Sequence, residues 1–203
     1  MVNCSTSPHP SREKKEKLNR LIFENPDVVE AAKNLLGKGL FTKVDGHLTG
    51  GIITETEAYL GIEDKASHAF GGRRTKRTEV MYQKGGVAYV YLCYGIHALL
   101  NVITGEEGIP KAVLIRAIKP THGIDIMLTR RKKNHLDRTL TNGPGSLTAA
   151  LGITLSHNKL SFDSPLLWIE DLELPVPSFE STPRIGVDYA DEWAEMPYRF
   201  VAK

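Results

Sequence analysis

The chain has 203 residues, of which 41% are hydrophobic and 25% charged; this fits one globular domain and excludes a disordered or collagen-like polymer. No apolar run approaches the roughly 18 residues of a membrane span, and two cysteines, Cys4 and Cys93, are too few for a disulfide framework or a cysteine zinc site. The net charge of +2 conceals an uneven distribution, because residues 65–138 hold 14 Lys and Arg against 5 Asp and Glu, whereas residues 164–203 hold 3 against 8.

Residues 1–20 read as a leader that packs little, and the domain is expected over residues 21–203. Asn25 is placed to cap a first helix, with Pro26 at its first position and Asp27 complementing its dipole. Val28, Ala31, Ala32 and Leu35 supply its apolar stripe, and Gly37 its stop. The period then falls to two. Residues 40–44 predict a strand, Asp45-Gly46 a hairpin turn, and residues 52–59 the returning strand. Residues 60–86 predict a long, glycine-rich functional loop. A β-branched and aromatic strand follows from Val87 to Tyr94 and is expected to continue past Gly95 to Ile103 with a bulge. Residues 111–118 predict another strand, ended by Pro120, and residues 121–133 a helix with a basic end. Gly143-Pro144-Gly145-Ser146 leads into a short helix over residues 147–151. Short strands are expected at residues 166–169, 185–187 and 199–201. The sum is a single compact α+β domain with a curved, mostly antiparallel sheet and flanking helices.

Alternation along a strand puts Ile53, Glu55, Glu57 and Tyr59 on one face. Two carboxylates and a phenol form a candidate acid/base site, or a solvated strand face. Tyr89 and Tyr91 share a face and could stack on nucleobases or serve as core aromatics. Tyr94 lies on the opposite face or at a turn beside Gly95, where a ring could wedge between base steps. Arg116, inside an apolar strand, needs a carboxylate partner, and the Glu55/Glu57 strand offers one, unless the arginine reaches solvent at the strand edge. The loop bearing Arg73, Arg74, Lys76 and Arg77, and the helix start at Gly145 and Ser146, have phosphate-gripping composition. A basic middle points to a polyanion partner, and the acidic tail is expected to face away from it. There is no HExxH, CxxC pair, Walker A loop or GxGxxG, so neither a metal nor a nucleotide cofactor is expected.

Glu55-Thr56-Glu57-Ala58-Tyr59-Leu60-Gly61, Asp64, His68, Gly71-Gly72-Arg73, Met81, Tyr89-Val90-Tyr91, Tyr94-Gly95, Asn101, Leu114-Ile115-Arg116-Ala117, Gly143-Pro144 and Arg184-Ile185-Gly186-Val187 occur in an order that resembles the alkyladenine (3-methyladenine) DNA glycosylase family. The resemblance covers residues 25–203 and ends in Glu192-Trp193-Ala194 and Pro197-Tyr198-Arg199-Phe200. It implies a monofunctional enzyme that flips alkylated or deaminated purines (3-methyladenine, 7-methylguanine, hypoxanthine, ethenoadenine) out of duplex DNA and hydrolyses the N-glycosidic bond. By position, Glu57 matches the general base and Arg116 the arginine that helps hold the water. Tyr59, His68, Tyr91 and Asn101 match the base pocket, and Tyr94 matches the side chain that fills the gap in the duplex. No Schiff-base amine is implied; Lys65 and Lys84 read as phosphate or solvent lysines. A monomer, working inside the cell at the nucleoid if bacterial, is expected. Two other readings of the same residues are a non-catalytic nucleic-acid-binding domain and a hydrolase of small glycosyl compounds using the Glu55/Glu57 pair.

Overall fold

The sheet grows from a two-residue hairpin. In the computed structural model, which describes residues 22–203, Asp45 (φ 52°) and Gly46 (φ 78°) both take the left-handed conformation that matches strand twist. They join β1, Gly39–Val44, to β2, His47–Tyr59, with Val44 opposite His47. The expected leader at residues 1–20 lies outside the described residues. β3, Ala88–Cys93, and β4, His97–Thr104, are a second hairpin, with Cys93 opposite His97. The single bulged strand expected there is replaced because Tyr94 (φ 51°) and Gly95 (φ 74°) are both left-handed; successive positive φ values reverse a chain rather than kink it. With β5, Lys111–His122, and β6, Leu167–Glu170, the antiparallel order is β3-β4-β5-β2-β1-β6. β7, Phe179–Thr182, pairs with β8, Arg199–Ala202, which lies against residues 55–57 of β2. The glutamate segment therefore runs between β5 on one edge and β8 on the other.

Two irregularities between β2 and β5 decide which side chains share a face. Ile53 faces Ile118 and Glu55 faces Ala117, so Thr54 is an extra residue on β2. Glu55 faces Ala117 and Thr56 faces Ile115, so Arg116 is an extra residue on β5. A bulge resets alternation. Ile53 accordingly joins Ala58 in the main core instead of accompanying Glu55, Glu57 and Tyr59, which corrects the face assignment by simple alternation.

Helices cover one face of the sheet. α1, Val28–Asn34, is capped by Asp27, whose Oδ1 accepts from the Val29 and Glu30 N–H groups. Asn25, the expected cap, instead accepts from the Asp27 N–H through its own Oδ1 and so sets the turn before the cap. Val28, Ala31, Ala32 and Leu35 bury the predicted stripe. α2, Ile124–Arg131, starts later than expected because β5 continues through Pro120 to His122. β4 pairs only with residues 111–114, so the proline's missing N–H lies beyond that ladder. α3, Pro144–Leu151, starts earlier than expected, since proline suits a first helical turn. Leu147, Ala150 and Leu151 pack with Leu100, Val113 and Ile115 in the main core.

The other face is covered by irregular chain. In residues 60–86, Ala69, Val80, Met81 and Tyr82 are buried against Tyr89, Ile103 and Ala112. Ala66 packs with Val187 and Ala190. Residues 185–187 form no strand, because the Ile185 N–H is bonded to a glutamate side chain and Val187 fills that small cluster. β7 escapes sequence reading because it is four residues long and sits among prolines. Ile185, Gly186, Val187 and Tyr189 of the tail line the cavity on this face.

Candidate active site

β2 and β5 aim their cavity-side residues at one point. Glu57 is completely buried. Its Oε2 accepts from the Tyr59 hydroxyl at 2.9 Å, and its Oε1 from the Ile185 N–H at 2.9 Å. Arg116 Nη1 lies 3.2 Å from the same Oε1. Arg116 Nε donates to Glu55 Oε1 at 2.7 Å, and Arg199 Nε donates to that oxygen at 2.6 Å. Arg116 therefore has the carboxylate partners that its place in an apolar strand requires, and they overcome the opposition of burial and hold it charged. Burial, then Glu57 and Tyr91, push the Tyr59 hydroxyl well above the usual phenol range, against the pull of Arg184. Tyr59 thus remains a proton donor to Glu57.

Arg184 ties the tail to this floor. Both of its terminal nitrogens donate to Asp64, and both side chains are fully buried. It also donates to the Ala58 carbonyl at 2.9 Å and the Trp193 carbonyl at 3.1 Å. Its guanidinium lies 4.8 Å from the Tyr59 ring centre and 5.4 Å from that of Tyr198. Asp64 in turn accepts from the N–H groups of Leu60 and Ala66. One ion pair thereby fixes both the start of the long loop and the backbone that presents the Ile185 N–H.

Above the floor is a cavity of about 450 Å³, lined by Tyr59, His68, Tyr91, Tyr94, Asn101 and Arg116 among others; that volume is ample for a flat heterocycle. Glu57 lies behind its wall, reached through Tyr59, Arg116 and Ile185. Tyr91 and His68 meet edge to face with centroids 4.6 Å apart, and Tyr89 and Tyr91 lie 5.2 Å apart. The Asn101 amide donates to the Tyr89 carbonyl at 3.1 Å. His68 Nδ1 is 2.9 Å from the Tyr89 hydroxyl, and Arg77 Nη2 is 3.4 Å from His68 Nε2. A guanidinium only donates, so Nε2 accepts and Nδ1 carries the proton. Burial first, then Arg77 and Arg73, lower the His68 pKa to about 4; the ring is neutral at pH 7.

Tyr94 is 90% exposed at the hairpin tip, with Ile96 73% exposed beside it. Arg73, Arg74 and Lys76 are exposed on the long loop, with Arg74 held by Glu79 in a two-pronged pair. Gly145 and Ser146 are in the first turn of α3, where the Ser146 hydroxyl accepts from Arg131 at 2.9 Å. Lys65 pairs with Asp191 and Glu192, and Lys84 with Glu24, at the surface. Asp64, Arg184 and Arg199 were given no role by sequence reading. Arg199, between Tyr198 and Phe200, carries the same signal as Arg116, a cation set in an apolar strand. Among the described residues, no cluster of His, Cys, Asp or Glu could hold a metal ion, and no helix is long and apolar enough to cross a membrane.

The model of the methylpurine-DNA glycosylase family matches residues 22–203. The candidate 3-methyladenine DNA glycosylase of Chlamydia felis is 51% identical over 180 residues, covering 88% of this chain and 92% of its own. That of Chlamydia pneumoniae is 47% identical over 185 residues, covering 91% and 94%. That of a Bacillus cereus strain is 48% identical over 188 residues, covering 88% and 92%.

Proposed function

The chain belongs to the methylpurine-DNA glycosylase family, enzymes that hydrolyse N-glycosyl bonds, and from that premise we propose that it excises flipped, damaged purines with water activated by Glu57. The observation that carries this reading is the Glu57 carboxylate, buried and held on both oxygens behind an aromatic cavity. The duplex opens at a cost of a few kcal/mol, least at a damaged pair. The base enters the cavity against Tyr91 and His68, Asn101 meets its edge, and Tyr94 occupies the gap it leaves. Arg73 and Lys76, with Arg74 and the α3 start at Gly145 and Ser146, face the phosphates.

The bond from C1′ to the purine nitrogen breaks with its electron pair going to the base. Positive charge develops on the sugar, where the buried carboxylate stabilises it. Water adds to C1′ and yields its proton to Glu57, whose orientation is set by Tyr59, Arg116 and the Ile185 N–H. A cationic base such as 3-methyladenine or 7-methylguanine leaves neutral and needs no acid. Hypoxanthine and ethenoadenine need a proton on the departing ring, which solvent water delivers as the bond breaks, while neutral His68 shapes the wall. No enzyme–sugar bond forms, so the product is an abasic site. The enzyme works as a monomer in the compartment that holds the DNA.

Duplex oligonucleotides carrying 3-methyladenine or hypoxanthine test this. The expected result is strand breakage after alkali and none before it. Glu57→Gln is expected to lose at least about a hundredfold in excision while still binding damaged duplex. Undiminished excision by that variant would remove Glu57 as the base. Salt-sensitive binding without any base release by the wild type would return the protein to a binding module.

A further inference from the structure

The Glu57 reading leaves a second buried glutamate unused. Glu55 is 6% exposed, on the same face of β2, and its Oε1 receives two guanidinium N–H groups, one from each neighbouring strand. We propose that Glu55 is a positioning residue which, balanced between Arg116 and Arg199, sets how much of the Arg116 charge acts on Glu57. This rests on Glu57 being the general base.

The backbone is built around that arrangement. The extra residues Thr54 and Arg116 interrupt the β2–β5 ladder on either side of Glu55. Bulges beside active sites re-aim side chains, and here they turn Glu55 away from Ile53 and point Arg116 at both carboxylates. Arg116 is divided between them: Nε is 2.7 Å from Glu55 Oε1, and Nη1 is 3.2 Å from Glu57 Oε1. Arg199 is 2.6 Å from Glu55 and anchored by its Nη1 to the Thr182 hydroxyl at 3.2 Å. Its place on β8 is opposite Glu57. Two carboxylates and two guanidinium groups cancel in charge, so the floor is neutral overall while each member feels the others.

The charged and titratable groups around Glu57 come from every element packed on it. β2 supplies Glu55 and Tyr59, β5 Arg116, β8 Arg199, β3 Tyr91, and the tail Arg184. Removing the Glu55 charge takes away a like charge and releases Arg116 to Glu57 alone; both changes favour ionised Glu57 and make it a weaker base. Removing the Arg199 charge does the reverse, since it leaves Glu55 less compensated and draws Arg116 toward it.

Single-turnover excision of 7-methylguanine from duplex DNA, measured across pH, tests this. That cationic base needs no acid, so the acidic limb reports Glu57. Glu55→Gln is expected to move that limb down by about one pH unit and slow the plateau about tenfold as Arg116 loses its orientation. Arg199→Gln is expected to move it up. Shifts of opposite sign do not arise from general loosening, and where Glu55→Gln folds poorly, the Arg199→Gln limb still decides. Glu57→Gln, run in parallel, separates the two ideas. An active Glu57→Gln removes the base itself. An inactive Glu57→Gln, with Glu55→Gln and Arg199→Gln keeping the wild-type limb, overturns the positioning role alone.

Discussion

The cavity floor and the hairpin tip line one cavity and are opposite in construction. On the floor, Glu55, Glu57, Asp64, Arg116 and Arg184 are buried, and every one is ion-paired. At the tip, Tyr94 and Ile96 project into solvent from a turn that holds a tyrosine at φ 51°. A non-glycine residue in that region is uncommon and costs backbone strain. The floor fixes geometry, which acid/base chemistry needs; the tip stays bare, which suits a surface meant to meet another molecule. Damage to the floor should therefore appear in stability as well as rate, and damage to the tip in rate alone.

The largest contrast is expected from Arg184→Met. It strands Asp64 without its cation, and breaking a fully buried pair costs about 3–5 kcal/mol. Urea denaturation should show that loss, together with reduced excision, because the Ile185 N–H loses its anchor. Unchanged stability would mean that the floor is not the rigid half. Tyr94→Ala should leave the urea midpoint where it is and slow excision most when the lesion is well paired. Equal slowing on paired and unpaired lesions would argue against a wedge. A smaller effect is expected on the basic loop, where Lys76→Ala or Arg73→Ala should reduce the salt dependence of duplex binding by about one counterion. An unaltered slope would take that loop off the phosphates.

His68, between the two regions, gives the smallest signal. Its folded pKa of about 4 lies below the ordinary 6.5. Between those values the unfolded chain binds the extra proton, so this residue contributes a stability that increases with pH and is lost as pH falls from 6.5 toward 4. An NMR titration should place the imidazole midpoint near the lower value. A midpoint near 6.5 would mean that the ring is charged more readily than its burial and its arginine neighbours permit.

Much of the fold was legible because its signals are local. The Asp45-Gly46 turn, the α1 stripe and the apolar runs of β3 and β5 each depend on residues adjacent in the chain. The misread places depend on partners distant in sequence. Asn25 resembles a cap until Asp27 is seen to hold the helix N–H groups. Pro120 looks like a stop until the short reach of β4 is known. Residues 185–187 look like a strand until the Ile185 N–H is spoken for by Glu57, 128 positions away. The charge count is silent on pairing: part of the basic middle is cancelled by Glu55, Glu57, Glu79 and Asp137, and the acidic tail contributes Arg184 to the site.

Residue types and their order along the chain were enough to determine the family and to nominate Glu57, Tyr59, His68, Tyr91, Asn101 and Arg116, since those are properties of the chain itself, but not to single out Asp64, Arg184 or Arg199. Which of two glutamates is held on both oxygens, which one shares its arginine, and which face Ile53 takes were decided only by tertiary structure. The reason is physical. One inserted residue on each of two paired strands resets the alternation of both, and a buried charge takes its properties from whatever cation the fold brings within about 3 Å of it.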